Sequence, residues 1–204
     1  MKKIIINIGR QFGCKAKEVA DTLGKKTGLP VYDSELLKKA AADFGFSESL
    51  FNCRDEKKRI FSLSSVFSNH AFGRGQFAND DASLFYMQSQ TIRNIAESES
   101  AIIIGRASNY VLRDMDCCLN VFLTAPIEKR AAREAELSGK TVDEARRYIE
   151  KNERERENFY NTFTLGNWGV ASTYDLCIDT SLLGVEGTAD FILEFAKRSG
   201  RYED

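Results

Sequence analysis

The sequence has almost no net charge, because its 29 lysine and arginine residues are balanced by 30 aspartate and glutamate residues. A general nucleic-acid binder usually carries a strong excess of positive charge. The composition therefore argues against a surface that coats a polyanion, and any anion-binding site should be local. We expect small-molecule partners and no nucleic acid.

Cysteine is present but forms no recognisable framework. The number is odd and no two residues have CxxC spacing. The five residues are Cys14, Cys53, Cys117, Cys118 and Cys177. Neither a disulfide scaffold nor a zinc ribbon is indicated, so we expect reduced thiols, as in the cytoplasm.

Long hydrophobic runs, internal repeats and low-complexity linkers are missing. The opening MKKIIINIGRQ has an apolar run that ends at Gly9, too short for a signal-peptide core or a membrane span. We therefore expect a cytoplasmic protein without membrane contact. Its 204 residues fit one domain, with or without a small insert. The lone His70 is expected to be solvent-exposed rather than catalytic.

Apolar β-branched segments alternate with helical patterns along the chain. The predicted strands are 4–8, 30–32, 101–104, 119–123 and 174–178. The predicted helices are 18–27, 34–44, 126–137, 141–159 and 185–197. Strands that are apolar on both faces and separated by helices indicate a parallel sheet covered on both sides. The expected fold is a three-layer α/β/α domain with five parallel strands.

Two segments interrupt this alternation. Residues 46–81 are rich in Phe, Ser, Asn and charge and keep neither a strand nor a helix period, which predicts an irregular or partly helical insert. Residues 154–170, RERENFYNTFTLGNWGV, combine arginine, aromatic residues and glycine. This composition is typical of a lid over a site.

The stretch NIGRQFGCKAKEVA follows the first strand and is a candidate phosphate-binding loop. Gly9 and Lys15 have the separation of the Walker pattern GxxxxGK[ST], but Cys14 replaces its second glycine and Ala16 its hydroxyl residue. Any strand–turn–helix unit can carry such residues by chance. Lys17 strengthens the candidate, because a cation at a helix N-terminus is unfavourable unless an anion binds there.

Six segments in order resemble the cytidylate kinase-like proteins of the P-loop nucleoside monophosphate kinase group. They are GRQFGCKAKEVA, LPVYDSELLKKAA, AIIIGRASNYVLRD, VFLTAPIEKRAARE, KNERERENFYNTF and YDLCIDTS. The resemblance spans nearly the whole chain. It implies five parallel strands, an inserted monophosphate-binding region after the second strand, and an arginine-bearing lid. It also implies phosphoryl transfer from ATP to CMP or dCMP with Mg²⁺.

The resemblance assigns roles to residues. The donor phosphates would bind Gly9, Arg10, Gln11, Phe12, Gly13, Cys14, Lys15, Ala16 and Lys17. The acceptor would bind Asp33, Ser34, Lys39, Arg106, Arg130 and Asp179. The catalytic cations would be Lys15, Arg130, Arg154 and Arg156, with Lys15 and Arg106 converging on one cavity. No residue is assigned to hold a metal directly.

Several of these residues have a plainer interpretation. Arg130 and Arg133 lie on a helix rich in glutamate, and intrahelical ion pairs would explain Arg133. Arg154 and Arg156 lie two apart in a charged run and face different directions, so only Arg156 is expected to reach the site. Asp33 can cap a helix.

The cysteine and the alanine of the loop bear on activity. A thiol at a helix N-terminus beside a lysine should ionise readily, so Cys14 is a candidate reactive residue. Ala16 offers no hydroxyl to Mg²⁺, which Asp33 could hold through water. Ala16 and the long insert favour one alternative to the kinase, a nucleotide-binding or sensing protein with little catalysis. A kinase for another small phosphate acceptor is a further alternative. The sequence gives neither the acceptor base nor the oligomeric state.

Overall fold

The computed structural model describes residues 3–37 and 81–202. Within them lie five strands: β1 (Ile5–Arg10), β2 (Val31–Tyr32), β3 (Ala101–Ile104), β4 (Cys118–Thr124) and β5 (Leu176–Asp179). The helices are α1 (Ala16–Thr27), α2 (Asp81–Ser98), α3 (Ser108–Val111), α4 (Ile127–Ser138), α5 (Val142–Thr164) and α6 (Thr180–Arg198). A helical turn at 34–37 and a 3₁₀ turn at Ala171–Thr173 complete the described elements.

All five strands are parallel, in the order β2-β3-β1-β4-β5, which confirms the predicted sheet. The central strand β1 pairs Ile6 with Ile102 on one side and with Leu119 on the other. Since every strand runs the same way, the loops that follow β1, β3, β4 and β5 meet at one edge. That edge is where open α/β sheets bind ligands.

Alternating residues of β1 enter two separate cores, which makes the fold three-layered. Ile6 and Ile8 pack with α1 and α6 on one face of the sheet. Ile5 packs on the opposite face with Ile92 and Ile95 of α2. Strands buried on both faces explain the unbroken isoleucine run in the sequence.

The helix that follows α4 is longer than its sequence pattern indicates. α5 begins at a capping box, in which the Thr141 hydroxyl accepts the Glu144 N–H at 3.3 Å and the Glu144 carboxylate accepts the Thr141 N–H at 2.9 Å. It continues to Thr164, so most of the expected lid segment 154–170 is helical. Insert 46–81 lies outside the described residues except for its last position.

No helix in the described part of the chain combines the length and the apolar composition needed to span a membrane. Localisation therefore stays a prediction.

Thr141→Ala should destabilise the protein by about 1 kcal/mol, because the first turn of α5 loses its cap. Urea unfolding measures the change. Thr141→Ser is the matched control, since serine keeps the capping oxygen, and it should stay close to the wild type. An alanine variant as stable as the serine variant would contradict the role of the cap.

Candidate active site

The loop after β1 turns tightly into α1 and leaves backbone donors available. Gly13 and Lys15 both adopt left-handed conformations, with φ of 79° and 62°. The N–H groups of Gly13, Cys14 and Lys15 have no protein acceptor among residues 3–37 and 81–202. Successive free amides at a helix N-terminus form a concave donor surface that suits a phosphate. The geometry therefore supports an anion cradle despite the incomplete Walker pattern.

Arg130 of α4 stabilises this loop through hydrogen bonds to backbone atoms. Its guanidinium is almost fully buried and donates from Nε to Ala125 O at 2.7 Å and from Nη1 to Phe12 O at 2.9 Å. The same Nη1 pairs with Glu153 of α5 at 2.7 Å, and Glu153 also accepts the Phe12 N–H at 3.2 Å. Arg130 is therefore committed to the loop backbone. Glu153, which sequence reasoning missed, connects the loop to α5.

The other side of the loop is fixed through the start of α6. The buried Thr180 hydroxyl contacts Cys14 O at 2.8 Å and Thr124 O at 3.1 Å. Asp179 lies at the end of β5, where its carboxylate accepts the Ser181 N–H at 2.8 Å and caps α6. The interaction with the Ser181 side chain, together with its N–H bond, keeps the Asp179 pKa below its usual value. Asp179 does not line the cavity described below.

The expectation that Cys14 is reactive is wrong. Its thiol is buried and lies 3.2 Å from Gln11 O and 3.4 Å from Leu123 O. Burial raises the pKa of Cys14 to about 11, and the positive charges around it do not reverse this. A helix N-terminus activates a thiol only when the thiolate is accessible. Here the side chain is part of the core.

A cavity of about 560 Å³ opens beside the loop at the carboxyl edge of the sheet. Three arginines from separate elements line it: Arg10 at the end of β1, Arg106 after β3, and Arg156 of α5. Of the other predicted site residues, Gly9, Phe12 and Ser34 also line it. Guanidinium groups are the side chains best suited to binding phosphate oxygens in pairs.

Arg10 is the most strongly perturbed of the three. Burial, together with the charges of Arg156 and Arg106, lowers the pKa of Arg10 to about 9. The group therefore stays charged at neutral pH, although its surroundings disfavour that charge. Burial also lowers the pKa of Arg156. Like charges held together in a partly desolvated cavity indicate a site built to receive an anion.

The backbone of the turn that carries Arg106 after β3 is strained. Gly105, Arg106 and Ala107 are all left-handed, with φ of 73°, 58° and 53°. For residues with a Cβ this conformation costs about 1 kcal/mol each, and such strain is concentrated at functional sites. A Cβ on Gly105 would lie 1.6 Å from Nη1 of Arg10. Gly105 thus gives Arg10 the space to enter the cavity.

α5 separates the two arginines of its charged run. Arg156 donates from Nη1 to Arg10 O at 3.3 Å, and its guanidinium carbon lies 5.1 Å from the centre of the Phe12 ring. Arg154 is exposed and does not line the cavity. The helical arrangement thus distinguishes two residues that the sequence places almost side by side.

The lysines of the loop do not reach this cavity. Lys15 is exposed and is not among the described lining residues, so the expected convergence of Lys15 and Arg106 on one cavity is not seen. Lys17 pairs with Asp21 at 2.6 Å and with Asp33 at 3.6 Å. Lys39 lies outside the described residues.

Asp33 acts as the helix cap that its sequence allows. Its carboxylate accepts the N–H groups of Glu35 at 3.0 Å and Leu36 at 3.1 Å. Burial opposes ionisation, but these N–H groups and Lys17 together keep the Asp33 pKa below its usual value. Asp33 is therefore a carboxylate at neutral pH. The described residues contain no group of three or more side chains that could hold a metal ion.

Arg133 has a different partner from the one expected. It pairs with Glu18 of α1 rather than with a glutamate of its own helix, and its Nη1 lies 3.4 Å from Gly13 O. The expectation of intrahelical pairing is therefore wrong for this residue. The ion pair of Arg133 with Glu18 instead joins α4 to α1, the helix that follows the phosphate loop.

Aromatic residues form another part of the cavity wall. Phe122 packs against Trp168 and Tyr174, with ring centres 5.5 and 4.9 Å away, and both partners line the cavity. A Cβ on Gly9 would lie 2.8 Å from Phe122, so this glycine is required by packing. Tyr160 accepts a hydrogen bond from Asn109 at 3.0 Å. Trp168 and Tyr174 therefore pack on the core residue Phe122 and also line the cavity.

Comparisons with known proteins agree with this geometry. The model of the cytidylate kinase-like family matches residues 5–182. A cytidylate kinase of Methanobrevibacter smithii is 27% identical over 194 residues, covering 95% of this chain and 99% of that protein. A cytidylate kinase of Pyrococcus furiosus is 33% identical over 183 residues, covering 86% and 84%.

Solved structures show the same fold. A crystal structure of an uncharacterized protein from Eubacterium ventriosum superposes with a TM-score of 0.72 at 26% identity, covering 97% of this chain and 99% of that one. Shikimate kinase from Bacteroides thetaiotaomicron gives a TM-score of 0.55 at 14% identity, covering 95% and 98%, and shows the fold alone.

Gly105→Ala should expel Arg10 from the cavity. The matched control is Gly28→Ala, because Gly28 has the same φ of 73° but nothing within 4 Å of an added Cβ. Both variants should lose about 1 kcal/mol of stability from the left-handed backbone. Only Gly105→Ala should also lose the rise in melting temperature that inorganic phosphate gives at constant ionic strength. Equal phosphate responses in the two variants would contradict the placement of Arg10.

Proposed function

This chain belongs to the cytidylate kinase-like family, and on that premise we propose that it transfers the γ-phosphoryl group of ATP to CMP or dCMP. One observation carries the proposal. Arg10, Arg106 and Arg156 line a single cavity beside a loop that offers free amides. Phosphoryl transfer asks a protein chiefly to neutralise charge and to align two phosphates.

The arginine-lined cavity suits the acceptor monophosphate. A nucleoside monophosphate brings up to two negative charges, which would offset the burial and the repulsion that lower the pKa of Arg10. Planar guanidinium groups can each bind two phosphate oxygens. Neither Arg10 nor Arg156 is in an ion pair with another described residue, so both charges are available to a ligand.

The loop suits the donor phosphates. Free N–H groups of Gly13, Cys14 and Lys15 would hold the terminal phosphates, and the exposed Lys15 ammonium would add a positive charge beside them. The loop would then lie between donor and acceptor, because Gly9, Arg10 and Phe12 also line the cavity. This placement supports an in-line approach of the two nucleotides.

The transfer itself exchanges one phosphorus–oxygen bond for another. An oxygen of the acceptor phosphate attacks the γ-phosphorus, and the bond from that phosphorus to the oxygen shared with ADP breaks. Arg10, Arg106 and Arg156 would hold the acceptor phosphate and offset negative charge as the transferred group passes between the nucleotides. The aromatic wall at Trp168 and Tyr174 would limit access of water.

Mg²⁺ fits this site only in part. Ala16 supplies no hydroxyl, and the Asp33 carboxylate is occupied by two N–H groups and Lys17. The ion would be held by the donor phosphates and water, with Asp33 as the nearby carboxylate. When bound it would neutralise charge on the donor phosphates.

The same features favour a second candidate, a nucleotide-binding or sensing protein with little catalysis. Its specific support is the loop, where Ala16 provides no metal ligand and Lys15 lies away from the cavity. A kinase for another small phosphate acceptor would share the arginine site and differ in the rest of the cavity.

An ADP-release assay separates these candidates. The purified protein is incubated with ATP, Mg²⁺ and each nucleoside monophosphate in turn, and ATP hydrolysis without acceptor is subtracted. We expect release with CMP or dCMP well above that with AMP or GMP. If none of the nucleoside monophosphates raises ADP release above the background, but nucleotides bind tightly, the result would instead support the binding protein.

Arg156→Met tests the role of the α5 arginine, with Arg154→Met as its matched control two residues away. Loss of a charge that stabilises the transferring group should lower kcat at least about 100-fold in the first variant. The control should stay near wild-type activity. Thermal melting should show no loss of stability in Arg156→Met, since a repelling charge is removed from beside Arg10. Equal loss in both variants would contradict the assignment.

A further inference from the structure

Gln88 of α2 is a cavity residue whose hydrogen-bonding capacity is unused. Its side chain is 6% exposed and lines the cavity together with Arg10 and Arg106. The buried Oε1 atom has no hydrogen-bond partner in residues 3–37 and 81–202. An unpaired buried amide oxygen costs free energy, so its retention in a binding cavity points to a partner supplied by the ligand.

Neighbouring polar residues of the same helix show that burial alone does not explain Gln88. The Ser89 hydroxyl donates to Phe85 O at 2.8 Å, and the Thr91 hydroxyl donates to Met87 O at 2.9 Å. Both are buried, and both are satisfied within the helix. Of these three residues, only Gln88 lines the cavity.

We propose that Gln88 is a specificity-determining residue whose Oε1 accepts a hydrogen bond from an N–H or O–H group on the nucleoside part of the acceptor. The inference rests on the proposed function, in which the arginines bind the acceptor phosphate. Arginine side chains only donate hydrogen bonds. They hold the phosphate but cannot recognise a donor group elsewhere on the nucleotide, and Gln88 supplies an uncharged acceptor for that purpose.

Two groups of the proposed acceptor have this chemistry. One is the 4-amino group of cytosine, which uracil replaces with a carbonyl oxygen. The other is the 2′-hydroxyl of the ribose, which a deoxynucleotide lacks. Because a buried acceptor rejects a ligand that leaves it unpaired, CMP, dCMP and UMP together distinguish the two sources.

The test compares Gln88→Met with Gln90→Met. Methionine keeps the length of the side chain and removes the amide. Gln90 lies in the same helix but does not line the cavity. For Gln88→Met, kcat/KM for CMP should fall about 10- to 100-fold, the cost of losing one buried hydrogen bond. KM for ATP should not change. The melting temperature should stay the same or rise, because an unpaired buried oxygen is removed.

The three acceptors then identify the group that Gln88 binds. If it is the cytosine amine, Gln88→Met loses activity equally with CMP and dCMP, and the wild-type preference for CMP over UMP disappears. If it is the 2′-hydroxyl, Gln88→Met loses activity with CMP but not with dCMP. Either pattern, with Gln90→Met near the wild type, supports the proposal.

Three outcomes would overturn it. The first is an unchanged kcat/KM for every acceptor in Gln88→Met. The second is a fall in melting temperature together with an equal fall in kcat/KM for ATP and for the acceptor, which indicates a structural role.

If the wild type phosphorylates no nucleoside monophosphate, the proposed function fails on its own. The role of Gln88 is then tested by calorimetry with cytidine instead of by kinetics. Cytidine binding weakened by Gln88→Met then supports the role of Gln88, and absent or unchanged binding is the third contrary outcome.

Discussion

Burial of a guanidinium group beside two others is the constraint on which the site depends. Arg10, Arg106 and Arg156 come from β1, from the turn after β3 and from α5, and burial, together with the charges of Arg156 and Arg106, lowers the pKa of Arg10 to about 9. Between that value and the ordinary pKa of arginine, the folded protein binds fewer protons at Arg10 than the unfolded chain does. Stability contributed by this group therefore rises with pH there. At neutral pH the charged form of Arg10 lowers the stability of the folded protein, and a bound anion would offset this loss.

The rest of the edge is organised to keep these charges in place. Gly105 has no Cβ, and this lets Arg10 lie against the strained turn that presents Arg106. Arg130 and Glu153 hold the carbonyl and the amide of Phe12, so α4 and α5 fix the phosphate loop through its backbone. Thr180 adds a contact from the start of α6. The N–H groups of Gly13, Cys14 and Lys15 have no acceptor among the described residues, so they are available to a ligand.

The sequence predicted the five strands but missed helix α2 and the contacts that only the tertiary structure creates. Short apolar segments located the strands, and the position of Arg106 after an apolar strand placed it at the ligand edge. Nothing local shows that Glu153 reaches Phe12, or that Arg133 pairs across to α1. Cys14 was misjudged because burial, which the sequence does not display, outweighs the helix terminus and nearby cations. Gln88 carries no motif at all.

The most direct test of the central claim is a crystal structure of the protein with CMP bound. The account predicts the phosphate of CMP within hydrogen-bonding distance of the guanidinium groups of Arg10, Arg106 and Arg156. A bound CMP whose phosphate contacts none of these three side chains would contradict it.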